Sequence, residues 1–507
     1  MTIDGAGGGR GRKARPAAQE LARYEALFAA RTRGMRSSAM RDMMALTERP
    51  EVISLAGGLP DTSTFAPELY AKLMSHVAAE STARALQYGP TEGMKAVMEC
   101  IVEVMAAENT VVDTGDLIVT TGGQQVIDLV CKTLIDPGDV IVAEAPTYPG
   151  AVPTFSAYQA EVVQIEMDSD GMPIDELERT LDRLHAEGRR PKFIYTIPNF
   201  QNPGGVTMSL ARRRRLVEVA RERELLVLED NPYGLLRYEG EPLPTLYSLD
   251  ASTAGHGGAS DFVIYLGTFS KILSPGLRLG WAVAPRPVLE KLNLGKQGSD
   301  LCSSSVTQLF VAQYFKEGDW RAYLDTLRDL YRRRRDTMIE ALGEHFGPDA
   351  SWTHPQGGMF IWATLPSYID TTDLLARAIE SENVAFVPGR AAYLDGRGAS
   401  SMRLNFAGVQ EQNIREGIRR IGKVINEQVG LFGTLTSAPG AGDADLRPTS
   451  ASSAPGQKAA AGDGQPAERG GAAGSPSQGS RQEGMADVVA FPRRGGEAGA
   501  KQLRKDR

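Results

Sequence analysis

The segment DFVIYLGTFSKILSPGLRLG, residues 261–280, begins with a short apolar run and continues into a loop with polar residues. Such a run is typical of a buried β-strand that ends in a loop. Four other segments have the same form: DLIVTTGG at 116–123, DVIVAEAPTY at 139–148, PKFIYTIPN at 191–199 and ELLVLEDNPY at 224–233. Because amphipathic helical patterns separate these runs, the sequence predicts an α/β domain with a largely parallel sheet.

The sequence pattern changes twice along the chain. From Leu301 to about Gln428, an Arg-rich helical stretch precedes two β-rich segments, which indicates a second, α+β domain. The last 75 residues are rich in Gly, Ala, Ser and Pro and have too little apolar surface to offset their ordering entropy. The predicted organisation is a flexible N-terminal arm over 1–34, an N-terminal segment over 35–75, a large α/β domain over 76–300, a small α+β domain over 301–432 and a disordered tail over 433–507.

The composition argues against several classes of protein. The 507 residues include 56 Lys and Arg against 63 Asp and Glu, a formal net charge of −7, so no nucleic-acid partner is expected. Three cysteines cannot make a disulfide framework, which favours a reducing compartment and a cytoplasmic location. Five scattered histidines include no pair at ligand spacing, and no apolar run approaches the ~18 residues of a membrane span. Neither a metal site nor a membrane partner is expected.

Polar residues that follow the predicted strands are the candidates for chemistry, because parallel sheets bind ligands at the carboxyl ends of their strands. Lys271 follows the run VIYLGTF, and a lysine with apolar neighbours can act as a nucleophile toward a carbonyl. Thr268, Ser270 and Arg278 add two hydroxyls and a guanidinium, a set suited to a phosphate ester. The alternative is an ordinary loop with a serine that caps a helix.

Two further strand ends carry a carboxylate and an amide. Asp230 ends the run ELLVLED, and it either caps a helix or keeps the ring nitrogen of a ligand protonated, with Tyr233 in reach of the same ligand. Asn202 lies in the good turn sequence Asn-Pro-Gly-Gly, which explains it without a ligand. Its amide could also hydrogen-bond a phenolic oxygen, a role for which Asn199 competes.

Three other motifs have both a structural and a functional interpretation. In TTGGQQ, Gly122, Gly123 and Gln124 open a helix whose free N–H groups could bind a phosphate, although a glycine turn alone is a weak signal. Tyr148, in EAPTYPG, could stack on a flat cofactor or be an ordinary half-buried tyrosine. Arg403, in the apolar strand SMRLNFAG, needs an anion, either a structural carboxylate or that of a substrate.

Taken together and in this order, TTGGQQ, EAPTYPG, NPGG, EDNPYG, TFSKILSPGLRLG and SMRLNFAG closely resemble the motifs of fold-type I aminotransferases that use pyridoxal 5′-phosphate (PLP). LAGGLPDTSTFAPE and ALQYGPTEG are similar to segments of the subgroup of 2-aminoadipate and kynurenine or aromatic aminotransferases. The resemblance covers about residues 35–428. It implies the PLP-transferase fold of type I, with a large domain whose mostly parallel sheet is flanked by helices and a smaller α+β domain.

The resemblance implies roles around the cofactor ring. Lys271 would bind PLP covalently and move the α-proton of the substrate. Asp230 would pair with the ring nitrogen, and Tyr148 would stack on the ring. Asn202 and Tyr233 would contact the ring hydroxyl.

The resemblance also implies how the phosphate is held. Its ligands would be Gly122, Gly123, Gln124, Thr268, Ser270 and Arg278. Tyr88 would reach the phosphate bound by the neighbouring subunit, which implies a homodimer with shared active sites. Family members often carry a serine where this chain has Gly123, and Thr120 or Thr121 could compensate for the lost hydroxyl.

The substrate contacts implied by the resemblance come from three parts of the chain. Arg403 would clamp the α-carboxylate, while Gly58 and Asn202 would line the pocket, and the segment 35–75 would contribute to this pocket and to the small domain. Arg41, in SSAMRDMM, matches the place where 2-aminoadipate aminotransferases carry an arginine for a side-chain carboxylate. It is equally well explained as an ordinary charge on a helix.

The expected function is PLP-dependent transfer of the α-amino group from an L-amino acid of the 2-aminoadipate, aromatic or branched-chain type to a 2-oxo acid, with 2-oxoglutarate as the expected acceptor. Two rivals are compatible with the same motifs. One is another PLP reaction on this scaffold, such as that of a β-lyase or a decarboxylase. The other is a PLP-binding regulator without enzymatic activity, which would need a DNA-binding module ahead of the SLAGGLP segment.

Overall fold

The computed structural model describes residues 24–35, 49–254 and 259–436. Residues 1–23 of the predicted arm, Arg41, and the predicted tail beyond residue 436 lie outside these ranges. The boundaries predicted for the arm, the two domains and the tail stay predictions.

The described residues form two long helices, eleven shorter ones and a set of short strands. The strands are β1 Ile53–Ser54, β2 Leu117–Thr120, β3 Val140–Ala145, β4 Glu161–Glu166, β5 Pro191–Thr196, β6 Leu226–Asp230, β7 Val263–Thr268, β8 Gly280–Val283, β9 Ser351–Trp352, β10 Phe360–Thr364, β11 Val384–Ala385, β12 Val387–Pro388 and β13 Ser401–Asn405. The helices are α1 Pro67–Glu80, α2 Thr82–Ala85, α3 Lys95–Ala106, α4 Gly123–Leu134, α5 Val152–Ala157, α6 Ile174–Ala186, α7 Leu210–Glu222, α8 Leu246–Thr253, α9 Arg286–Gln297, α10 Ser305–Glu317, α11 Trp320–His345, α12 Thr371–Glu382 and α13 Glu411–Thr436.

The large sheet has seven strands in the order β2-β8-β7-β6-β5-β3-β4. Strand β8 is antiparallel to both of its neighbours, and all other pairs are parallel. The five predicted strands and the largely parallel sheet are therefore confirmed. The sequence patterns did not single out β4, a half-exposed strand at the sheet edge, or β8, whose four residues follow the polar loop.

Helices on both faces bury the large sheet, which explains why its strands are apolar runs without alternation. All residues of β3 and β7 are buried. Helix α4 covers β7 and β8 with a stripe that includes Val126, Ile127 and Val130. Because β2 and β7 run in the same direction on either side of β8, their carboxyl ends and the N-terminus of α4 lie at one edge of the sheet.

A second, four-stranded antiparallel sheet has the order β12-β13-β10-β9, and helix α13 packs against α11 and α12 beside it. The chain from β1 onward joins this region, since β1 pairs in parallel with β11. Leu55 continues the pairing, with its N–H donating to Ala385 O and its carbonyl accepting from Asn405 N–H, both at 2.8 Å. None of the described helices combines the length and apolar character that crossing a membrane requires.

A close contact between strand β8 and the turn before α4 predicts a stability effect. A Cβ added at Gly280 would lie 2.8 Å from Gly122 C, Gly123 N and Gly267 O, all backbone atoms. We expect Gly280→Ala to lower the free energy of unfolding by about 1–3 kcal/mol, the usual cost of overpacking. Urea unfolding would measure this change.

Gly343→Ala is the matched control, because Gly343 lies in α11 with no atom within 4 Å of its added Cβ. Alanine is the better helix former by up to about 1 kcal/mol, so this variant should be as stable as the parent or slightly more stable. Equal stability of the two variants would contradict the close contact at Gly280.

Candidate active site

A cavity of about 160 Å³ opens at the carboxyl edge of the large sheet. It collects residues that follow β3, β5, β6 and β7 together with the N-terminus of α4. The predicted site residues that line it are Gly123, Gln124, Tyr148, Asn202, Asp230, Tyr233, Thr268, Ser270, Lys271 and Arg278. Gly122, Gly58 and Arg403 contact these residues from the side, as described below.

One end of the cavity is built to bind an anion. The backbone of Gly122 has φ 77°, which glycine adopts without strain, and the helix α4 that follows presents its N-terminus. A Cβ at Gly122 would lie 2.5 Å from Arg278 Nη2, so only glycine lets the guanidinium come this close. Thr268 Oγ1 lies 2.9 Å from Ser270 Oγ, and Arg278 Nη1 lies 3.5 Å from the same oxygen. Backbone N–H groups, hydroxyls and a guanidinium suit a phosphate ester.

The two threonines that precede the glycine turn donate to protein acceptors. Thr120 Oγ1 donates to Gly122 O at 3.1 Å, and Thr121 Oγ1 donates to Asp300 Oδ2 at 2.7 Å. Both hydroxyls therefore have protein partners, and the expectation that one of them compensates for the missing serine stays a prediction. A Cβ at Gly123 would lie 2.9 Å from Leu266 Cδ2, so a serine here would require the leucine side chain to shift.

Gln124 lines the cavity, but its side-chain amide turns toward the next segment. Its Nε2 donates to Gly150 O at 3.1 Å and to Thr154 Oγ1 at 2.8 Å. Tyr148 lies against the same segment, since a Cβ at Gly150 would fall 2.4 Å from its ring and its hydroxyl oxygen. The side chain of Gln124 thus braces the segment that carries the tyrosine ring.

The other end of the cavity carries the buried carboxylate of Asp230, which is 5% exposed. Its Oδ2 accepts a hydrogen bond from Tyr195 Oη at 2.7 Å. Burial raises the pKa of Asp230 to about 7, and the hydrogen bond from Tyr195 opposes that rise. The capping alternative is wrong, because the next helix, α8, begins only at Leu246, and the carboxylate that binds its first N–H groups is Glu229.

The hydrogen-bond partners of Asn199 and Asn202 distinguish these two candidates for the contact with the ring hydroxyl. Asn199 Nδ2 donates to Asn231 Oδ1 at 2.9 Å, and Asn199 Oδ1 accepts from Arg213 Nη2 at 2.7 Å, so this amide belongs to a buried polar network. Asn202 lines the cavity instead, with Nδ2 donating to Tyr233 Oη at 3.4 Å. Of the two amides, only that of Asn202 borders the ligand space.

Lys271 lies between the two ends of the cavity. Its Nζ donates to Gly58 O at 2.5 Å, which brings the predicted pocket residue Gly58 to the amine. Burial, followed by the positive charges of Arg403 and Arg278, lowers the pKa of Lys271 to about 8. A much larger fraction of this amine than of an ordinary lysine is therefore neutral near neutral pH, and attack on a carbonyl carbon requires that neutral form.

Arg403 is 1% exposed in β13 and joins three parts of the chain. Its Nη2 donates to Ala56 O at 2.7 Å, and its Nη1 donates to Asn202 Oδ1 at 3.0 Å. The guanidinium also lies 4.4 Å from the ring centre of Phe360. Burial lowers its pKa to about 10, which still leaves it charged at neutral pH. A buried, charged guanidinium next to Lys271 suits a ligand carboxylate.

Tyr88 stands apart from this cavity. Tyr88 is 79% exposed and does not line the cavity of its own chain. Arg41 lies outside the described residues, so its predicted contact with a substrate side chain stays a prediction.

The sequence patterns did not single out Tyr195 and Phe360. Tyr195 is 1% exposed within β5, and a hydroxyl in an otherwise apolar strand usually has a buried partner, which was the available signal. Phe360 looks like any core residue in sequence. It borders the site because the antiparallel sheet brings β10 beside β13.

Comparison with known proteins identifies the family of this chain. The family model of aminotransferase class I and II matches residues 50–421. An aromatic-amino-acid aminotransferase of Thermococcus litoralis is 42% identical over 80% of this chain and 95% of the relative, and a 2-aminoadipate transaminase of Thermus thermophilus is 38% identical over 78% and 96%. A kynurenine aminotransferase structure from Pyrococcus horikoshii has 40% identity and a TM-score of 0.75, covering 81% of this chain and 99% of that chain.

The fold and the site define a fold-type I enzyme that uses PLP. The chain belongs to the aminotransferase class I and II family. Its residues fit the cofactor: the turn at Gly122 with Arg278 suits the phosphate, Asp230 suits the ring nitrogen, and the Lys271 amine between them suits the aldehyde.

The environment of Lys271 predicts an unusual pH dependence of its reactivity. In protein freed of PLP, the amine is charged below its pKa and neutral above it. Reductive methylation of Lys271 should therefore rise with a midpoint near pH 8, far below the ordinary lysine value of about 10.4. Mass spectrometry of the peptide that contains Lys271 would follow the reaction.

The variant Arg403→Gln tests the cause of the lowered pKa of Lys271. Because it removes one of the two positive charges that act on Lys271, the midpoint should move to higher pH. A midpoint near pH 10 in the parent protein would contradict the described environment of the amine.

Proposed function

We propose that this aminotransferase takes the α-amino group from an aromatic, 2-aminoadipate-type or branched-chain L-amino acid and that 2-oxoglutarate is its acceptor. The observation that carries the proposal is the cavity itself. In it, the amine of Lys271 lies between an anion-binding end and the buried carboxylate of Asp230, with the guanidinium of Arg403 alongside. The names of the relatives from Thermococcus litoralis and Thermus thermophilus support the two first donor classes.

The proposed cofactor contacts follow from this arrangement. The phosphate is held by the α4 N-terminus and the polar loop after β7, through Gly122, Gly123, Gln124, Thr268, Ser270 and Arg278. Asp230 faces the ring nitrogen, and Asn202 with Tyr233 faces the ring hydroxyl. Tyr148 packs on the ring, where its support by Gln124 and Gly150 keeps it in position.

Bound PLP supplies an aldehyde that accepts the amino group and an electron-withdrawing ring that weakens the bonds at the substrate's α-carbon. Arg403 binds the α-carboxylate of the substrate and so fixes the orientation of the α-carbon. Lys271 Nζ, whose pKa is lowered by burial and by the charges of Arg403 and Arg278, would take the proton from the substrate's α-carbon and would deliver it to the former aldehyde carbon of the cofactor. Asp230 holds a proton at the ring nitrogen.

The walls near Gly58 favour a substrate with an apolar or aromatic side chain. A Cβ at Gly58 would lie 3.7 Å from Phe360 Cζ, and the rings of Phe360 and Tyr233 meet edge to face with 6.0 Å between centres. Flat apolar surfaces of this kind bind aromatic side chains well. For a 2-aminoadipate side chain, Arg41 is the proposed partner.

The absorbance of the bound cofactor tests the reaction. Addition of a single amino acid without any oxo acid should make the visible absorbance band of the bound cofactor disappear. Later addition of 2-oxoglutarate should restore that band. Kynurenine, phenylalanine, 2-aminoadipate and leucine would rank the donor classes. Lys271→Ala should lose the conversion, because the covalent and proton-transfer group is gone.

Each failure in this experiment has a separate meaning. Release of carbon dioxide or of a side-chain fragment without conversion of the band would support a decarboxylase or β-lyase instead. An absorbance band that no amino acid changes would contradict the proposed activity and would favour the alternative of a PLP-binding regulator without enzymatic activity.

We further propose a homodimer in the cytoplasm. The exposed Tyr88 ring and its exposed apolar neighbour Leu86, 77% exposed, form a surface suited to a second copy of the chain. Cys100, Cys131 and Cys302 are free thiols, as expected in a reducing compartment.

Mixed dimers test whether Tyr88 completes the site of the other subunit. Lys271→Ala has no active site of its own, and Tyr88→Ala should bind PLP about tenfold more weakly through the loss of a hydrogen bond to phosphate. In a mixed dimer of the two, one site has both Lys271 and Tyr88, so at a PLP concentration too low to load Tyr88→Ala, activity should return toward half of the parent value. No recovery in mixed dimers, verified by two affinity tags, would mean that Tyr88 does not act across subunits.

A further inference from the structure

The carboxylate of Asp230 has a partner on the side away from the cavity. Tyr195 Oη donates to Asp230 Oδ2 at 2.7 Å. Asp230 lines the cavity, whereas Tyr195 does not and is 1% exposed. The two oxygens of this carboxylate therefore have different surroundings: Oδ2 meets a protein donor, and Oδ1 is left for a ligand.

The ring of Tyr195 is held where its hydroxyl meets Asp230. Tyr195 lies in the interior of β5, in register with Leu228 of β6, two residues before Asp230. Its ring meets the ring of Phe155 edge to face, with 5.4 Å between centres. Burial, followed by the nearby charge of Asp230, raises the pKa of Tyr195 well above its ordinary value, so the hydroxyl keeps its proton and acts as a donor.

Besides the hydroxyl of Tyr195, the titratable groups coupled to the charge of Asp230 are Glu144, on β3, and the phenols of Tyr148 and Tyr233. Glu144 is itself a buried carboxylate, which accepts from Thr196 Oγ1 and from Ile197 N–H at 3.2 Å. None of these groups is a cation, and burial disfavours the charge on Asp230. The hydrogen bond from Tyr195 is the described contact that favours the charge.

We propose that Tyr195 is a positioning residue of this aminotransferase: its hydroxyl keeps Asp230 ionised and turns Oδ1 of the carboxylate toward the ring nitrogen of PLP. This inference rests on the proposed role of Asp230. Asp230 would then accept two hydrogen bonds, one from the ring nitrogen of PLP and one from the hydroxyl of Tyr195. We expect the second of these to keep the proton on the ring nitrogen. Without that donor, the proton moves from the ring nitrogen to the carboxylate, and the electron-withdrawing power of the ring falls.

The test compares two ligands that differ at one atom. PLP carries the ring nitrogen, and its analogue with C–H in that place cannot pair with Asp230. Affinities of both for the cofactor-free protein, measured by fluorescence titration, separate an effect at the ring nitrogen from a general loss of fit. Tyr195→Phe should bind PLP about tenfold more weakly, as expected for one charge-assisted hydrogen bond. The analogue should bind equally well to the variant and to the parent.

Tyr265→Phe is the matched control. Tyr265 is also 1% exposed, lies on β7 and donates to a half-buried carboxylate, Glu108 Oε2, at 2.7 Å rather than to Asp230. Its loss should leave the ratio of the two affinities unchanged. In an Asp230→Asn background, Tyr195→Phe should have no further effect on the ratio, because the group through which it acts is gone.

A second readout is the pH at which the absorbance of bound PLP changes. This pH should differ from that of the parent protein in Tyr195→Phe and should be unchanged in Tyr265→Phe. The reason is that only Tyr195→Phe alters the charge next to the PLP ring. If Tyr195→Phe does not fold, the protein with 3-fluorotyrosine placed at residue 195 keeps the shape and offers a stronger donor. In that protein the affinity ratio should rise.

Two results would overturn the inference. They are an unchanged ratio of the two affinities in Tyr195→Phe, which includes equal weakening of PLP and its analogue, and an unchanged ratio in the fluorotyrosine protein. Failure of the role of Asp230 itself is distinguishable, because Asp230→Asn would then bind PLP and the analogue with the same relative affinity as the parent.

Discussion

The buried guanidinium of Arg403 holds together the parts of the chain that form the site. It donates to carbonyls of the segment after β1, to the amide of Asn202 beside the large sheet, and it lies on the ring of Phe360 in the small sheet. A buried charge needs such partners, because without them desolvation would cost several kcal/mol. The same residue therefore supports the architecture and presents a positive charge to the cavity.

The cavity of about 160 Å³ contains two titratable groups that need opposite charge states: an amine that must be partly neutral and a carboxylate that must be charged. Lys271 must be partly neutral to react, and burial with two neighbouring arginines lowers its pKa to about 8. Asp230 must be charged, yet burial raises its pKa to about 7. Burial acts on both groups against their charged forms, so the difference between them has to come from specific neighbours: guanidinium groups beside the amine, and a phenol beside the carboxylate.

Much of the fold and the chemistry of the site could be predicted from local patterns. The five apolar runs are strands of one sheet, and the residues after them line one cavity, since parallel strands end at the same edge. Local patterns did not distinguish Asn199 from Asn202, or a capping Asp230 from a ligand-binding one. Both questions depend on residues distant in sequence, namely Arg213 and Arg403 for the asparagines and the late start of α8 for the aspartate.

The sequence by itself determined which residue types follow which strands, and with their order and spacing it determined the family. The tertiary structure alone decided which atoms meet. Gly58 reaches Lys271 across 213 positions of the chain, and Thr121, which adjoins the phosphate end in sequence, donates to Asp300, 179 positions further on. The physical reason is that strand periodicity is local, whereas hydrogen bonds and desolvation depend on neighbours brought together by packing of the two sheets and the segment between them.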